Sequence, residues 1–217
     1  MRNMKQRACG RRIYTFLVTC LVAVMNLQGY ASVKVHVQYL TTADGLSNNS
    51  VRYIHQDSKG FIWMSSLNGL NRYDGYDTRI YRSLKDDGNS LPDSYIEDIQ
   101  EDATGNLWVR TGAGYAIYNS VSDIFDRNVE GWMWHIGISG NPSTVYIDSE
   151  KIFWIYVAGK GIYCYKPGQE NAVMVAGTDT LLTEMNITDM TECSEGILLA
   201  FGNGVLACLD REKLNVK

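Results

Sequence analysis

The 217-residue chain sets 20 lysines and arginines against 24 aspartates and glutamates, a net charge of −4. Five of the basic groups fall before residue 13 with no acid among them, so the residues after position 31 keep 15 basic groups against 24 acidic ones, a net charge of about −9. A body that acidic speaks against nucleic acid and anionic membrane surfaces as partners, and its length suits one domain.

Arg2, Lys5, Arg7, Arg11 and Arg12 form a basic head, and Ile13 to Leu27 is an apolar stretch broken only by Tyr14, Thr15, Thr19 and Asn26. Gly29 and Ala31 then offer small residues for cleavage before Ser32. This pattern predicts a secretory signal peptide over 1–31 and a periplasmic or otherwise extracytoplasmic chain over 32–217. An uncleaved anchor is the alternative, although the apolar run is shorter than the roughly 20 residues a spanning helix needs. Cys20 as a lipid-attachment site and the Arg11-Arg12 pair as a twin-arginine signal are weaker readings.

Ser32 to Leu40, "SVKVHVQYL", alternates Val33, Val35, Val37 and Tyr39 against Lys34, His36 and Gln38. That is the pattern of a strand with one wet face, expected to supply the outer strand of a final blade and close a ring.

From Leu46 the sequence repeats itself. "LSNNSVRYIHQDSKGFIWMSSLNGLNRYDG" is matched from Leu91 by "LPDSYIEDIQEDATGNLWVRTGAGYAIYNS", an ungapped offset of 45 residues. It pairs Leu46 with Leu91, Ile54 with Ile99, Asp57 with Asp102, Gly60 with Gly105, Trp63 with Trp108, Gly69 with Gly114 and Tyr73 with Tyr118. A period in this range marks a repeat architecture. Some 45 residues hold four short strands, the size of one propeller blade. Helical repeats of similar length fail on pattern, because the segments between glycines are short and mix β-branched with aromatic residues.

A third copy, "DSEKIFWIYVAGKGIYCY", keeps Asp148 and Trp154 but has Lys151 where glycine is expected. A fourth, "SEGILLAFGNGVLACL", keeps Gly196, Gly202 and Gly204 and places Leu199 in the tryptophan slot. The expected fold is all-β: a partial β-propeller of about four blades of four-stranded antiparallel sheet at a 45-residue period. The units fall at about 46–90, 91–136, 137–180 and 181–217, the last without room for a closing strand.

The repeated residues read as scaffold. Asp57 with Gly60, and Asp102 with Gly105, bracket a tight connection in which aspartate bonds the backbone ahead and glycine takes positive φ. Trp63, Trp108 and Trp154 are expected to pack between blades, and Asp148 continues the aspartate series. No second carboxylate recurs at a calcium-loop spacing, so no metal site is expected. His36, His55 and His135 form no zinc-binding pair. Asp86, Asp87, Glu97, Asp98, Glu101 and Asp102 read as a solvated rim rather than a glycosidase pair. Cys164, Cys193 and Cys208 follow the leader, and which two would pair in an oxidising compartment is open.

The strings from "DGLSNNSVRYIHQDSKGFIWM" to "ATGNLWVRTGAGYAIY" resemble the two-component regulator propeller repeat over roughly Val37 to Tyr118, with decaying fidelity from Thr144 to about Leu209. That resemblance implies the extracytoplasmic sensor of a hybrid two-component system, commonly one that detects oligosaccharides. It also implies paired propellers, a possible homodimer of the full-length sensor, and a membrane helix and histidine kinase further along. This sequence has neither a dimerisation helix with a phospho-accepting histidine nor glycine-rich nucleotide boxes. The chain is therefore expected to be an N-terminal sensor piece that is not an enzyme, has no cofactor, and meets the membrane only through the missing C-terminal part. A propeller used as a protein-docking scaffold is the alternative. Quinoprotein and sialidase-type propellers are disfavoured by their different glycine spacings.

Ligand contact is expected on one rim, formed by Leu67 to Gly69, Arg82 to Asp93, Asn128 to Asn141 and Ala158 to Lys160. Trp132 and Trp134 break the repeat there. They offer flat faces for sugar rings, with Arg82, Asp87, Asn89 and His135 as hydrogen-bonding neighbours. Plugging the gap between the second and third blades is the other role open to the pair.

Overall fold

The computed structural model describes residues 37, 39–175 and 186–216. The chain divides into two compact units, 1–39 and 40–217. In the first, only Val37 and Tyr39 are described, both exposed and without regular structure. The leader and the rest of the strand expected over Val33 to Tyr39 lie outside the described residues.

The second unit contains four sheets, each of four antiparallel strands in chain order, the blades of a β-propeller. Blade 1 is β1 (Val51–Gln56), β2 (Ile62–Ser66), β3 (Gly69–Tyr73) and β4 (Thr78–Tyr81). Blade 2 is β5 (Ile96–Glu101), β6 (Leu107–Thr111), β7 (Gly114–Asn119) and β8 (Ile124–Asp126). A short helix, α1 (Val129–His135), leads to blade 3, made of β9 (Thr144–Ile147), β10 (Phe153–Val157), β11 (Gly161–Tyr165) and β12 (Val173–Met174). Blade 4 is β13 (Ile187–Cys193), β14 (Gly196–Phe201), β15 (Leu206–Asp210) and β16 (Asn215–Val216). The fourth unit does have room for its last strand: β16 pairs with β15 through Leu209–Val216 and Asp210–Asn215.

The expected scaffold residues build each first turn in the same way. Asp57 Oδ1 accepts the backbone N–H groups of Lys59 and Phe61 at 3.0 and 2.9 Å, and Oδ2 accepts the Trp63 indole N–H at 2.7 Å. Asp102 serves Thr104, Asn106 and Trp108 likewise, and Asp148 serves Glu150, Ile152 and Trp154. Gly60, Gly105 and Lys151 stand at φ 89°, 79° and 64°, so the lysine adopts the left-handed geometry the glycines take without strain.

Each tryptophan packs on the following blade. Trp63, Leu70 and Tyr81 of blade 1 share a core with Ile99, Val109 and Phe125 of blade 2. Trp108 and Tyr115 pack with Val145, Phe153 and Ile155 of blade 3. Trp154 and Ile162 pack with Met190, Leu199 and Phe201 of blade 4. Blade 2 is covered on both faces, by blade 1 and by blade 3, which explains why "GNLWV" is continuously apolar. Among the described residues no such core joins blade 4 to blade 1.

The fourth tryptophan slot differs from the sequence expectation. Trp63 pairs with His55 and Arg72, and the residue in that register of blade 4 is Leu198, which pairs with Thr191 and Cys208. The β13–β14 hairpin closes directly from Cys193 to Gly196, one residue shorter than its counterparts, and one residue reverses which face a side chain takes. Leu199 is therefore turned back into the core with blade 3. Cys193 holds the aspartate position, so the polar Asp–Trp pair has been replaced on both sides, which avoids an unmatched partner for either.

Candidate functional site

The first strands of the four blades, β1, β5, β9 and β13, line a half-open axial cavity of about 530 Å³. Its wall includes Tyr53 and His55 from blade 1, Asp98 and Gln100 from blade 2, Tyr146 from blade 3, and Asp189 and Thr191 from blade 4. The positions between them, Ile99, Val145 and Met190, are buried between blades, so strand alternation delivers the polar set to the axis.

Several of these side chains fasten blade to blade. The Gln100 amide donates to Val145 O at 3.0 Å and accepts from Ile147 N at 2.6 Å, bonding to blade 3 as another strand would. The Tyr146 hydroxyl accepts from Glu192 N at 3.0 Å. Asp98 and Asp189 each accept the N–H of the next residue, at 2.8 and 2.9 Å, beside the bulge in their strands.

The electrostatics follow from partial burial. Desolvation, then the Asp98 charge, pushes the Tyr53 hydroxyl above its ordinary pKa. Desolvation also raises Tyr146. His55 is driven below the usual histidine range by burial, with Glu101 opposing, and its Nε2 is buried without a hydrogen-bond partner. Arg110 pairs with Glu97 at 2.8 Å on the same wall. The cavity therefore offers neutral tyrosine and imidazole groups together with carboxylates, suited to a polyhydroxylated ligand.

Connections between blades and between second and third strands meet on one rim. Arg82 Nε donates to Asn68 O at 3.0 Å, Lys160 Nζ to Ser139 O at 2.8 Å, and Arg127 to Ser90 and Leu91 carbonyls at 2.7 Å. Trp132 and Trp134 take different roles on this rim. Trp132 is wedged among Trp108, Phe153 and Tyr165, with ring centroids 4.6, 5.2 and 5.7 Å away, and fills the gap between blades 2 and 3. Trp134 is 74% exposed. His135 beside it is exposed at the end of α1, and Arg82 is exposed on its own loop.

Asp87 Oδ1 accepts from Asn89 N at 2.9 Å and Asn89 O from Phe125 N at 2.9 Å, so both residues shape the blade 1 to blade 2 connection. Among the described residues, no hydrogen bond or ring contact joins Trp134 or His135 to Arg82, Asp87 or Asn89. Sequence reasoning did not find the axial set. The signal was the period itself: His55, Gln100, Tyr146 and Thr191 share one repeat position and differ, where the neighbouring position, Ile54, Ile99, Val145 and Met190, stays apolar.

Comparison with known proteins agrees with this architecture. Residues 45–68 and 90–113, in blades 1 and 2, match the family model described as two component regulator propeller. A 51-residue stretch is 43% identical to histidine kinase P4 of Formosa agariphila, covering 24% of this chain and 4% of that protein. The extracellular domain of the putative hybrid two component system BT3049 from B. thetaiotaomicron superposes with a TM-score of 0.60 and 22% identity, over 83% of this chain and 26% of that one. That of BT4673 from the same organism gives a TM-score of 0.48 and 16% identity, over 79% and 30%. The chain thus spans a small part of the length of these relatives. Among the described residues, no helix is long and apolar enough to cross a membrane.

Proposed function

We propose that this chain is an extracytoplasmic ligand-sensing propeller of a two-component signalling protein, that its ligand is an oligosaccharide, and that it transfers no phosphate itself. The observation that carries the reading is the pair of matches to the two component regulator propeller model, placed in blades whose inner strands line a polar axial cavity. The relatives named above, a histidine kinase and extracellular domains of hybrid two-component systems, support the signalling role and the location. Trp134 supplies an exposed aromatic face for a sugar ring at the rim, with His135, Arg82, Asp87 and Asn89 as the hydrogen-bonding set. The signal peptide over 1–31 delivers the chain across the membrane.

The test is titration calorimetry of the purified chain, and of the longer protein that contains it, against a panel of oligosaccharides. Binding that Trp134→Ala weakens at least tenfold, with an unchanged melt, supports the reading. Absence of heat with every sugar, together with capture of a protein partner on the same rim, would replace it with a docking scaffold.

A further inference from the structure

Three cysteines lie among the described residues: Cys164 on β11, Cys193 at the end of β13 and Cys208 on β15. The sulfurs of Cys193 and Cys208 stand 4.0 Å apart within blade 4. The strand between them shows how residues two strands apart come so near. β14 sets Gly196 opposite Cys193 and Leu198 opposite Cys208, on one face of the sheet. A Cβ on Gly196 would collide with the Leu209 carbonyl, so β15 leans against the hairpin end more closely than any residue with a side chain allows.

The repeat shows why blade 4 differs from the others. The counterparts of Cys193 are Asp57, Asp102 and Asp148, each bonded to the tryptophan indole that stands in the register of Leu198. The counterparts of Cys208 are Arg72, Ile117 and Cys164, the partners of those tryptophans on the third strand. With leucine in place of the indole and cysteine in place of the aspartate, blade 4 puts two sulfurs where the other blades have an aspartate and a covering ring.

Cys164 is set apart from this pair. It is buried between blades 3 and 4 in a core with Ile197 and Leu199, whereas Cys193 and Cys208 share the opposite face of the blade 4 sheet with Leu198. Desolvation pushes its thiol up to about 11, which withholds the thiolate that disulfide exchange requires.

We propose that Cys193 and Cys208 form a disulfide that ties β13 to β15, and that Cys164 stays a thiol. One thiolate attacks a sulfur of a disulfide oxidant and releases the first oxidant thiolate. The second thiolate then attacks the mixed disulfide and releases the other. The chain gives up two electrons and two protons, and the oxidant takes them up as two thiols. Bond formation brings the sulfurs to about 2 Å. The movement falls on the hairpin end, where Ser194 and Glu195 are exposed and Cys193 lies outside the core shared with blade 3. Both sulfurs belong to one blade, so the bond asks nothing of whatever packs on its outer face. It is also independent of the ligand at the rim.

The experiment is to incubate the purified chain with oxidised glutathione, block remaining thiols, and map it by mass spectrometry after cleavage at glutamate. Cuts after Glu170, Glu192 and Glu195 place Cys164, Cys193 and Cys208 on separate peptides. The expected product joins the Cys193 and Cys208 peptides of one chain and carries the block on Cys164. The oxidised chain should melt at least about 4 °C above the reduced one, as a cross-link that restricts the unfolded chain does. Cys193→Ser and Cys208→Ser should each abolish that gap, and Cys164→Ala should preserve it whatever it does to the melt itself. Cys193 and Cys208 both blocked after oxidation, a bond to Cys164 or to a second copy, or equal melts of the oxidised and reduced chains would overturn the proposal.

Discussion

The Trp63 indole N–H donates to Asp57 Oδ2 at 2.7 Å, while Oδ1 of the same carboxylate holds two backbone N–H groups of the turn. One aspartate thus ties the connection between two strands to the ring that is buried against the next blade. Trp63→Phe keeps much of the packing and removes the donor, and should cost about 1.5–3 kcal/mol, the range for a hydrogen bond to a charged group. Trp63→Ala should cost about 3–5 kcal/mol because it also opens a cavity. Denaturant melts of both, with Asp57→Ala closing a double-mutant cycle, should reveal coupling between the two residues. Purely additive effects would mean that the indole and the carboxylate act independently.

How much of this was legible follows from which residues carried it. Asp57, Gly60 and Trp63 recur with fixed spacing because the turn and the blade junction both need them, so the repeat and the blade count could be read directly. The bond from aspartate to indole was not legible, since spacing alone does not show that the two side chains meet. Leu199 was misplaced because counting from Gly196 assumes a hairpin of constant length, and the deletion of one residue turned Leu198 outward instead. The axial set stayed hidden because Tyr53, Asp98, Tyr146 and Asp189 converge only when the blades are arranged around a centre, and no local pattern encodes that meeting.

The two rim tryptophans separate stability from recognition. Trp132 is wedged among three aromatic rings, so Trp132→Ala should cost about 3–5 kcal/mol. Trp134→Ala should stay within about 0.5 kcal/mol, as an exposed surface change does. Thermal melts of the two variants check the contrast, and equal losses would place Trp134 in the core.

Glycine is required at position 196 for two reasons at once. Its φ is 142°, and a Cβ there would stand 2.0 Å from the Leu209 carbonyl oxygen. Gly196→Ala should therefore cost well above the roughly 1–3 kcal/mol of backbone strain alone. Gly204, at φ 85° with nothing near its missing Cβ, should lose only about 1–2 kcal/mol on the same change. Urea denaturation of both variants tests the ranking, and a tolerant Gly196 would mean that the β13–β14 hairpin can move away from β15.

His55 makes the fold sensitive to mild acid. Burial lowers its folded-state pKa below the ordinary 6.5, and its Nε2 is buried without a partner that would welcome a proton. Below 6.5 the unfolded chain binds the proton more readily than the folded one does, so stability rises with pH across this window. The contribution is complete above about pH 6.5 and is lost progressively as pH falls from there toward the lowered folded-state value. Urea midpoints of the wild-type chain should therefore drop between pH 7 and pH 5. His55→Gln carries no titrating group and should show a shallower drop over the same interval. Glu101 pulls the histidine the other way, so Glu101→Gln should lower the His55 pKa further, which NMR titration of the imidazole would register. If the pH dependence of His55→Gln matched that of wild type between pH 5 and 7, the acid sensitivity would belong to other groups and His55 would titrate as it does in solvent.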